Sequence, residues 1–406
     1  MGGWYDETDS EGGESLGFMA MPEGYGWKIY EPVKVLGDPV LLTLWSRFLR
    51  GVEGERFVSD RVDVDLADYN LDQPWVSIHV TTQGGAVQTV HVSGYRDKVF
   101  ARREGFPNVY QLTEDVASRL REPLELFYES AFVRVPKDDV RHIWIQGDEG
   151  TIRMTRKSGE WTVAEKAAGV ASFSIELPAD KRVAEDLMAL AEKSEVLRYF
   201  NDVKPADFFE DGIRRRGFWL EPFQDIRQGG FIGDLVRTPQ GTEVAPFLRE
   251  GDSVVGCLAP ELYEVTTRSL ESFLDRNLWT LQNIRMSGLV IERDGRQRRF
   301  KRTAVDDWQP EDAAVPAREL DPVLDHLLFL KAESHIAEGE RSGLQEIITV
   351  TFQDSAGAQH VARFGKVADG GRQVVTGALQ ATLKRPQLYD DLVALMDRKP
   401  DRPSDQ

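Results

Sequence analysis

Three tryptophans in matching surroundings constrain this chain more than any other feature. Trp27, Trp161 and Trp308 each close an extended stretch, and each leads through a loop to an acidic helix start, at Asp38-Pro39, Asp180-Lys181 and Asp321-Pro322. An aspartate that accepts the free N–H groups of a first turn, followed by a proline whose missing N–H costs nothing there, marks a helix N-terminus. Behind the three starts, apolar residues recur at helical spacing: Leu41, Leu44, Trp45 and Phe48; Val183, Leu187 and Leu190; Val323, Leu324, Leu327 and Leu328. Each predicted helix therefore has one face to bury.

The segments after these helices read as hairpins. Val76 to Val80 turns at Gly84-Gly85 into Val87 to Val92, and Ile347 to Phe352 turns at Ser355-Ala356-Gly357 into His360 to Phe364, with the period-2 alternation of strands that have one buried face. A second helix closes each copy: Thr113 caps Val116 to Leu120, Thr267 caps Leu270 to Leu274, and Gln387 opens Leu388 to Leu395. The copies begin 134 and 147 residues apart, far beyond a solenoid period. The expected fold is α+β: three tandem imperfect repeats of antiparallel hairpins with short capped helices packed on them. The expected boundaries are a mobile, Gly-rich acidic segment at 1–26; repeat one at 27–135, lacking its first hairpin because Ser15 to Gly26 is too short and glycine-rich for two strands; a diverged repeat two at 136–284; repeat three at 285–396; and a disordered tail at 397–406.

Charge and composition exclude several functions. A net charge of −18 repels phosphate backbones and anionic headgroups, so neither nucleic acid nor a membrane surface is an expected partner. No stretch approaches the ~20 apolar residues of a membrane span, and the first residues form no signal peptide. Cys257 is the only cysteine, which rules out an intrachain disulfide, and its apolar neighbours Val254, Val255 and Leu258 mark it as a small core residue.

The stretch Gly26-Trp27-Lys28-Ile29-Tyr30-Glu31-Pro32-Val33, with the later Asp65-Leu66-Ala67-Asp68-Tyr69-Asn70-Leu71-Asp72-Gln73-Pro74, resembles the bacterial family known as domain of unknown function 4340. There a Trp-x-Ile-x-x-Pro segment precedes a helix, and an Asp-Leu-x-x-Tyr-Gly-Leu-x-x-Pro turn leads into a hairpin. Asn70 replaces the usual glycine, a substitution that a left-handed backbone tolerates. The resemblance covers most of residues 27 to 200 well and 285 to 396 more loosely. It hands over no catalytic residues. What it implies is an extracytoplasmic protein, often with an N-terminal anchor and encoded near ABC-type export or gliding-like components; no anchor is legible in this sequence.

Candidate chemistry is sparse. His79 and His91 share the polar face of the first predicted hairpin, but no third ligand stands at metal-binding spacing. Asp138-Asp139, Asp306-Asp307 and Asp390-Asp391 fall at turns or helix starts, where they complement local dipoles. Phosphate loops, nucleophile elbows and zinc helices are absent, and no cofactor is expected. One sharp charge feature remains. Arg293, Arg296, Arg298, Arg299, Lys301 and Arg302 lie within ten residues, with Arg214-Arg215-Arg216 as a second cluster. The bland reading is a strand face neutralised inside the chain; the functional one is a docking strip for an acidic partner. The expected function is a non-enzymatic interaction scaffold, an extracytoplasmic accessory subunit of a membrane-associated complex with protein partners. An envelope-polymer binder and a hydrolase with an inter-domain site are the alternatives.

Overall fold

In the computed structural model, the described residues are 2–7, 16–23, 26–81, 85–200, 203–209, 216–224, 226–279, 281, 285–304, 307–311, 320–336, 343–368, 370–377 and 379–398. The chain is α+β, with antiparallel sheets and short helices, and forms two compact units: residues 1–148 with 188–267, and residues 149–187 with 268–406.

The first unit opens with a nine-stranded sheet. Its strands are β1 (Gly2–Glu7), β2 (Leu16–Glu23), β3 (Gly26–Glu31), β4 (Val35–Gly37), β5 (Arg56–Ser59), β6 (Val76–Thr81), β7 (Val87–Tyr95), β8 (Lys98–Arg103) and β9 (Val109–Leu112), in the order β4-β3-β2-β1-β6-β7-β8-β9-β5. This corrects the expectation that the first hairpin is missing and that residues 1–26 form a mobile segment. β1 pairs with β2, Gly3 facing Ala20, and also with β6, Gly3 facing Val80. A ladder is made of main-chain N–H and C=O groups, so a glycine-rich segment can enter an internal position when neighbours on both sides supply partners; tertiary pairing overrides composition here.

Helix α1 (Pro39–Gly51) lies against this sheet and shares its core, where Ile29, Val35, Leu42, Val76, Val92 and Leu120 are buried together. The short α2 (Glu114–Arg119) closes the sheet's far end, its first turn held by Thr113, whose Oγ1 accepts from Val116 N at 3.3 Å. Asn70 adopts the left-handed conformation at φ 53°, ψ 22° and donates Nδ2–H to the Gly94 carbonyl at 2.8 Å, which explains why asparagine serves there. The same unit contains β10 (Val140–Gln146), β14 (Arg198–Phe200), β15 (Arg216–Pro222), β16 (Gln228–Ile232), β17 (Val236–Arg237), β18 (Glu243–Arg249) and β19 (Val255–Leu258), paired in the order β10-β15-β16-β18-β19-β14 with β17 beside β18, and α4 (Glu261–Thr266). Thr267 is the C-cap of α4 and not the start of a helix; Ser269 precedes the 3-10 turn Leu270–Phe273 instead.

The second unit holds β11 (Gly150–Lys157), β12 (Glu160–Ala167) and β13 (Leu177–Pro178), paired in that order. Helix α3 (Lys181–Lys193) carries the chain from this unit to the other. Its eight-stranded sheet runs β22-β21-β20-β24-β25-β26-β27-β23, from β20 (Met286–Arg293), β21 (Arg296–Ala304), β22 (Asp307–Pro310), β23 (Ala332–His335), β24 (Gln345–Asp354), β25 (Gln359–Lys366), β26 (Arg372–Thr376) and β27 (Leu379–Leu383). Helices α5 (Asp321–Leu328) and α6 (Gln387–Asp397) bury Leu327, Leu388 and Leu392 with Ile291, Phe352 and Phe364 of one sheet face. The expected tail at 397–406 falls outside the described residues from 399 onward, while Asp397 is the last residue of α6.

Candidate functional site

The structural residues read from the sequence fall mostly where that reading put them. Trp161 and Trp308 are buried at 4% and 3% exposure. Trp27 is half-buried and donates Nε1–H to Thr43 Oγ1 of α1 at 3.2 Å. Asp38 caps α1, Oδ1 accepting from Val40 N and Leu41 N at 2.8 and 2.9 Å. Asp180 accepts from Arg182 N at 2.8 Å. Asp321 departs from this pattern. Val323 N and Leu324 N bond the Leu320 carbonyl, so the helix begins one residue early, Leu320 is its N-cap, and Asp321 faces the helix dipole from inside the first turn.

The basic strip divides by strand alternation. On β21, Arg298, Phe300 and Arg302 share the core side, while Gln297, Arg299 and Lys301 share the outer side. Arg298 is 8% exposed and donates to the Met396 carbonyl at 3.2 Å and to the Arg398 carbonyl, so its charge satisfies the free carbonyls at the C-terminus of α6. Arg293 bonds Asp397 at 3.1 Å, and Arg302 donates to the Met286 carbonyl at 3.4 Å. These three are internal fasteners. Arg296, Arg299 and Lys301 are exposed, and among the described residues no carboxylate forms an ion pair with them. Arg296, the first residue of β21, has the parity of Arg298, so the outer side holds Arg299 and Lys301, and register extends their surface across the sheet: Arg299 faces Val290, Val290 faces Thr351, and Thr351 faces Val361. Arg363 and the 38%-exposed Val361 stand on that same outer side of β25. The result is a cationic sheet face with apolar residues between the charges. Of the second cluster, Arg214 and Arg215 lie outside the described residues; Arg216 forms ion pairs with Asp148 and Asp234.

The histidines and paired acids are bonded locally. Ser77 Oγ and His91 Nδ1 lie 3.0 Å apart, as do His79 Nδ1 and Thr89 Oγ1, and burial holds the His91 pKa below its ordinary value. Among the described residues no group of three or more His, Cys, Asp or Glu side chains is placed to hold a metal. Asp390 pairs with Arg372 at 3.2 Å, and Asp138 and Asp139 lie in a 3-10 turn. Asp306 lies outside the described residues. Cys257 is buried, which raises its thiol pKa and suits a core residue.

Sequence reasoning missed a connected polar cluster in the first unit. Buried Arg249 donates to the Glu129 carbonyl at 3.3 Å, to the Tyr199 hydroxyl at 2.6 Å and to the Ala131 carbonyl. The nearly buried Glu129 carboxylate pairs with Arg134, which also reaches Asp38 at 3.0 Å. Lys28 pairs with Asp252, their side chains 10% and 2% exposed. Ser253 N donates to the Lys34 carbonyl at 2.7 Å. This cluster ties β3, β4 and α1 to β14, β18 and the loop after β18. A sequence signal existed: Leu124-Glu125-Leu126-Phe127-Tyr128-Glu129 returns as Leu270-Glu271-Ser272-Phe273-Leu274-Asp275.

Residues 27–211 match the family described as Domain of unknown function (DUF4340). This stretch of the chain belongs to that family. The match takes in the capped helix α1, the left-handed turn at Asn70 and the hairpin of β6 and β7. No curated protein matches the chain. Among solved structures, a DNA polymerase III subunit beta from Borrelia burgdorferi, in complex with a natural product, aligns with 98% of this chain and 82% of its own at 6% identity. Its TM-score is 0.15, so that likeness carries no argument. Among the described residues no helix is long and apolar enough to cross a membrane.

Proposed function

We propose that this protein is a non-enzymatic interaction scaffold, an extracytoplasmic accessory subunit of a membrane-associated complex, built from three imperfect copies of one sheet-and-helix unit. The copies are supported by matching pairings: β1 with β6, β10 with β15 and β20 with β24; β2 with β3, β11 with β12 and β21 with β22; β5 with β9, β14 with β19 and β23 with β27. Matching fasteners support them too. Asp38 N donates to the Phe127 carbonyl at 2.8 Å, and Asp180 N to the Phe273 carbonyl at 2.9 Å.

The observation that carries the functional reading is the outer face of β20, β21, β24 and β25. Arg299 and Lys301 stand on that face, with exposed Val361 further across it and exposed Arg296 at the start of β21, and among the described residues none of these cations has a carboxylate partner on a chain of net charge −18. Charges that no internal carboxylate neutralises can fix the register of an acidic protein surface and speed its encounter. The extracytoplasmic location and the membrane-machine context rest on family resemblance. The test is site-specific photo-crosslinking from position 301 in the native cell. The proposal expects one predominant protein adduct that fades when the label is moved to the buried position 300; equal adducts from both positions, or none, would count against it.

A further inference from the structure

The first unit holds a cavity that the scaffold reading does not use. Helix α1 ends at Gly51, so it covers the inner face of the nine-stranded sheet only in part. Beyond its end, Ile78, Val80, Val90 and Val92 floor a cavity of about 290 Å³, walled by Leu49 and Val52. Val80 and Val90 remain half-buried. At the rim, the Tyr110 ring lies so close to Gly54 that a Cβ there would fall 2.8 Å from it, so glycine allows the chain after α1 to pass and leave the mouth open.

Two arginines line this mouth: Arg102, whose Nε–H donates to the Phe106 carbonyl at 2.8 Å, and Arg103. Arg103 faces Val90 across the ladder and shares the sheet side of Val99 and Ala101, both buried in the core beneath. It is exposed, its guanidinium carbon 4.4 Å from the centroid of the Phe106 ring, and among the described residues no carboxylate pairs with it. An apolar floor with uncompensated positive charge at its lip is complementary to a molecule that is apolar at one end and anionic at the other.

We propose that this cavity binds a free single-chain anionic amphiphile, its tail over Ile78, Val80 and Val90 and its head at Arg103. The volume stands at the lower limit of the ~300–1,000 Å³ found for ligand pockets, which suits one short chain and not a two-chain lipid. Calorimetric titration of the full chain with octanoate, 1-octanol and acetate tests this. Octanoate should bind saturably at one site, octanol about fivefold more weakly, the loss expected for one exposed charge pair, and acetate not at all. Arg103→Glu should weaken octanoate at least fivefold and leave octanol unchanged. Val80→Trp should fill the cavity and abolish both; if that variant does not fold, the exposed Arg103→Glu still decides. Absence of saturable octanoate binding, or octanoate affinity indifferent to Arg103→Glu, would overturn the proposal. So would binding to anionic phospholipid vesicles without binding to octanoate, which would assign the site to a membrane lipid.

Discussion

Tyr199 donates its hydroxyl hydrogen to the backbone carbonyl of Glu129 at 2.6 Å. Burial pushes its pKa up to about 12, so the hydroxyl stays protonated and able to donate at any ordinary pH. In the second unit, His335 Nε2 lies 2.9 Å from the Asp275 carbonyl, and Asp275 stands in the sequence repeat where Glu129 stands. In both places a ring from an edge strand satisfies the carbonyl of an acidic residue just past a 3-10 turn.

The difference between tyrosine and histidine gives the second unit a pH dependence. A carbonyl only accepts, so Nε2 carries the hydrogen, and Nδ1 is buried with no partner among the described residues. Protonating Nδ1 would strand a charged N–H in the core, and burial accordingly lowers the His335 pKa. Below the ordinary histidine value of about 6.5 the unfolded chain binds a proton that the folded chain refuses, so stability is full above that value and falls as the pH drops through the lowered one. Urea unfolding between pH 7.5 and 5 should show this loss in the wild type and a smaller one in His335→Gln. Equal pH slopes would remove His335 as the cause.

The Lys28–Asp252 pair is sealed on both sides, so removing one partner leaves the other charged and dry. Asp252→Ala should cost about 3–5 kcal/mol, and Lys28→Met with Asp252→Leu should recover much of it, because well-packed apolar pairs often replace buried ion pairs without loss. Denaturant unfolding of the two singles and the double gives the coupling. Additive losses would show that the pair is not a unit.

Trp161 is buried near the start of β12, with its carbonyl accepting from Ala179 N at 3.0 Å. Trp161→Ala should cost about 3–5 kcal/mol, as expected for a buried aromatic. Calorimetric melting is the check; a loss below ~1 kcal/mol is surface behaviour and would contradict its core role.

Periodicity and capping made much of the fold legible. The Asp38 cap and the hairpin expected at Val76 to Val92 are found as α1 and the β6/β7 pair, and the one expected at Ile347 to Phe364 as β24/β25, with ends shifted by at most three residues. The first hairpin was hidden because glycine and acidic residues carry no strand signal, and its position depends on β6, where Val80, the partner of Gly3, lies 77 residues further along the chain. Arg249, Lys28 and Arg298 were hidden for another reason. Charged residues are read as surface, and only the folded chain brings them to carbonyls and carboxylates that repay their burial. Arg298 shows the consequence for the candidate site. Six cations in ten residues pointed to one docking strip, yet half of them are fasteners for the protein's own helix and strand ends.

That division sets the most direct measurement. With the protein identified by crosslinking at position 301, its affinity for the purified chain should be measured across a salt series for wild type and for the triple variant Arg296→Glu, Arg299→Glu, Lys301→Glu. All three positions are exposed, so the variant should melt like wild type, while Arg298→Glu, which places a buried negative charge against two carbonyls, should be severely destabilised. The account predicts that wild-type binding weakens as salt rises, since exposed charges are screened over ~8 Å at physiological ionic strength, and that the triple variant binds at least tenfold more weakly with a flatter salt dependence. Equal affinity and equal salt slopes for a folded triple variant would contradict the claim that this sheet face is where the scaffold holds its partner.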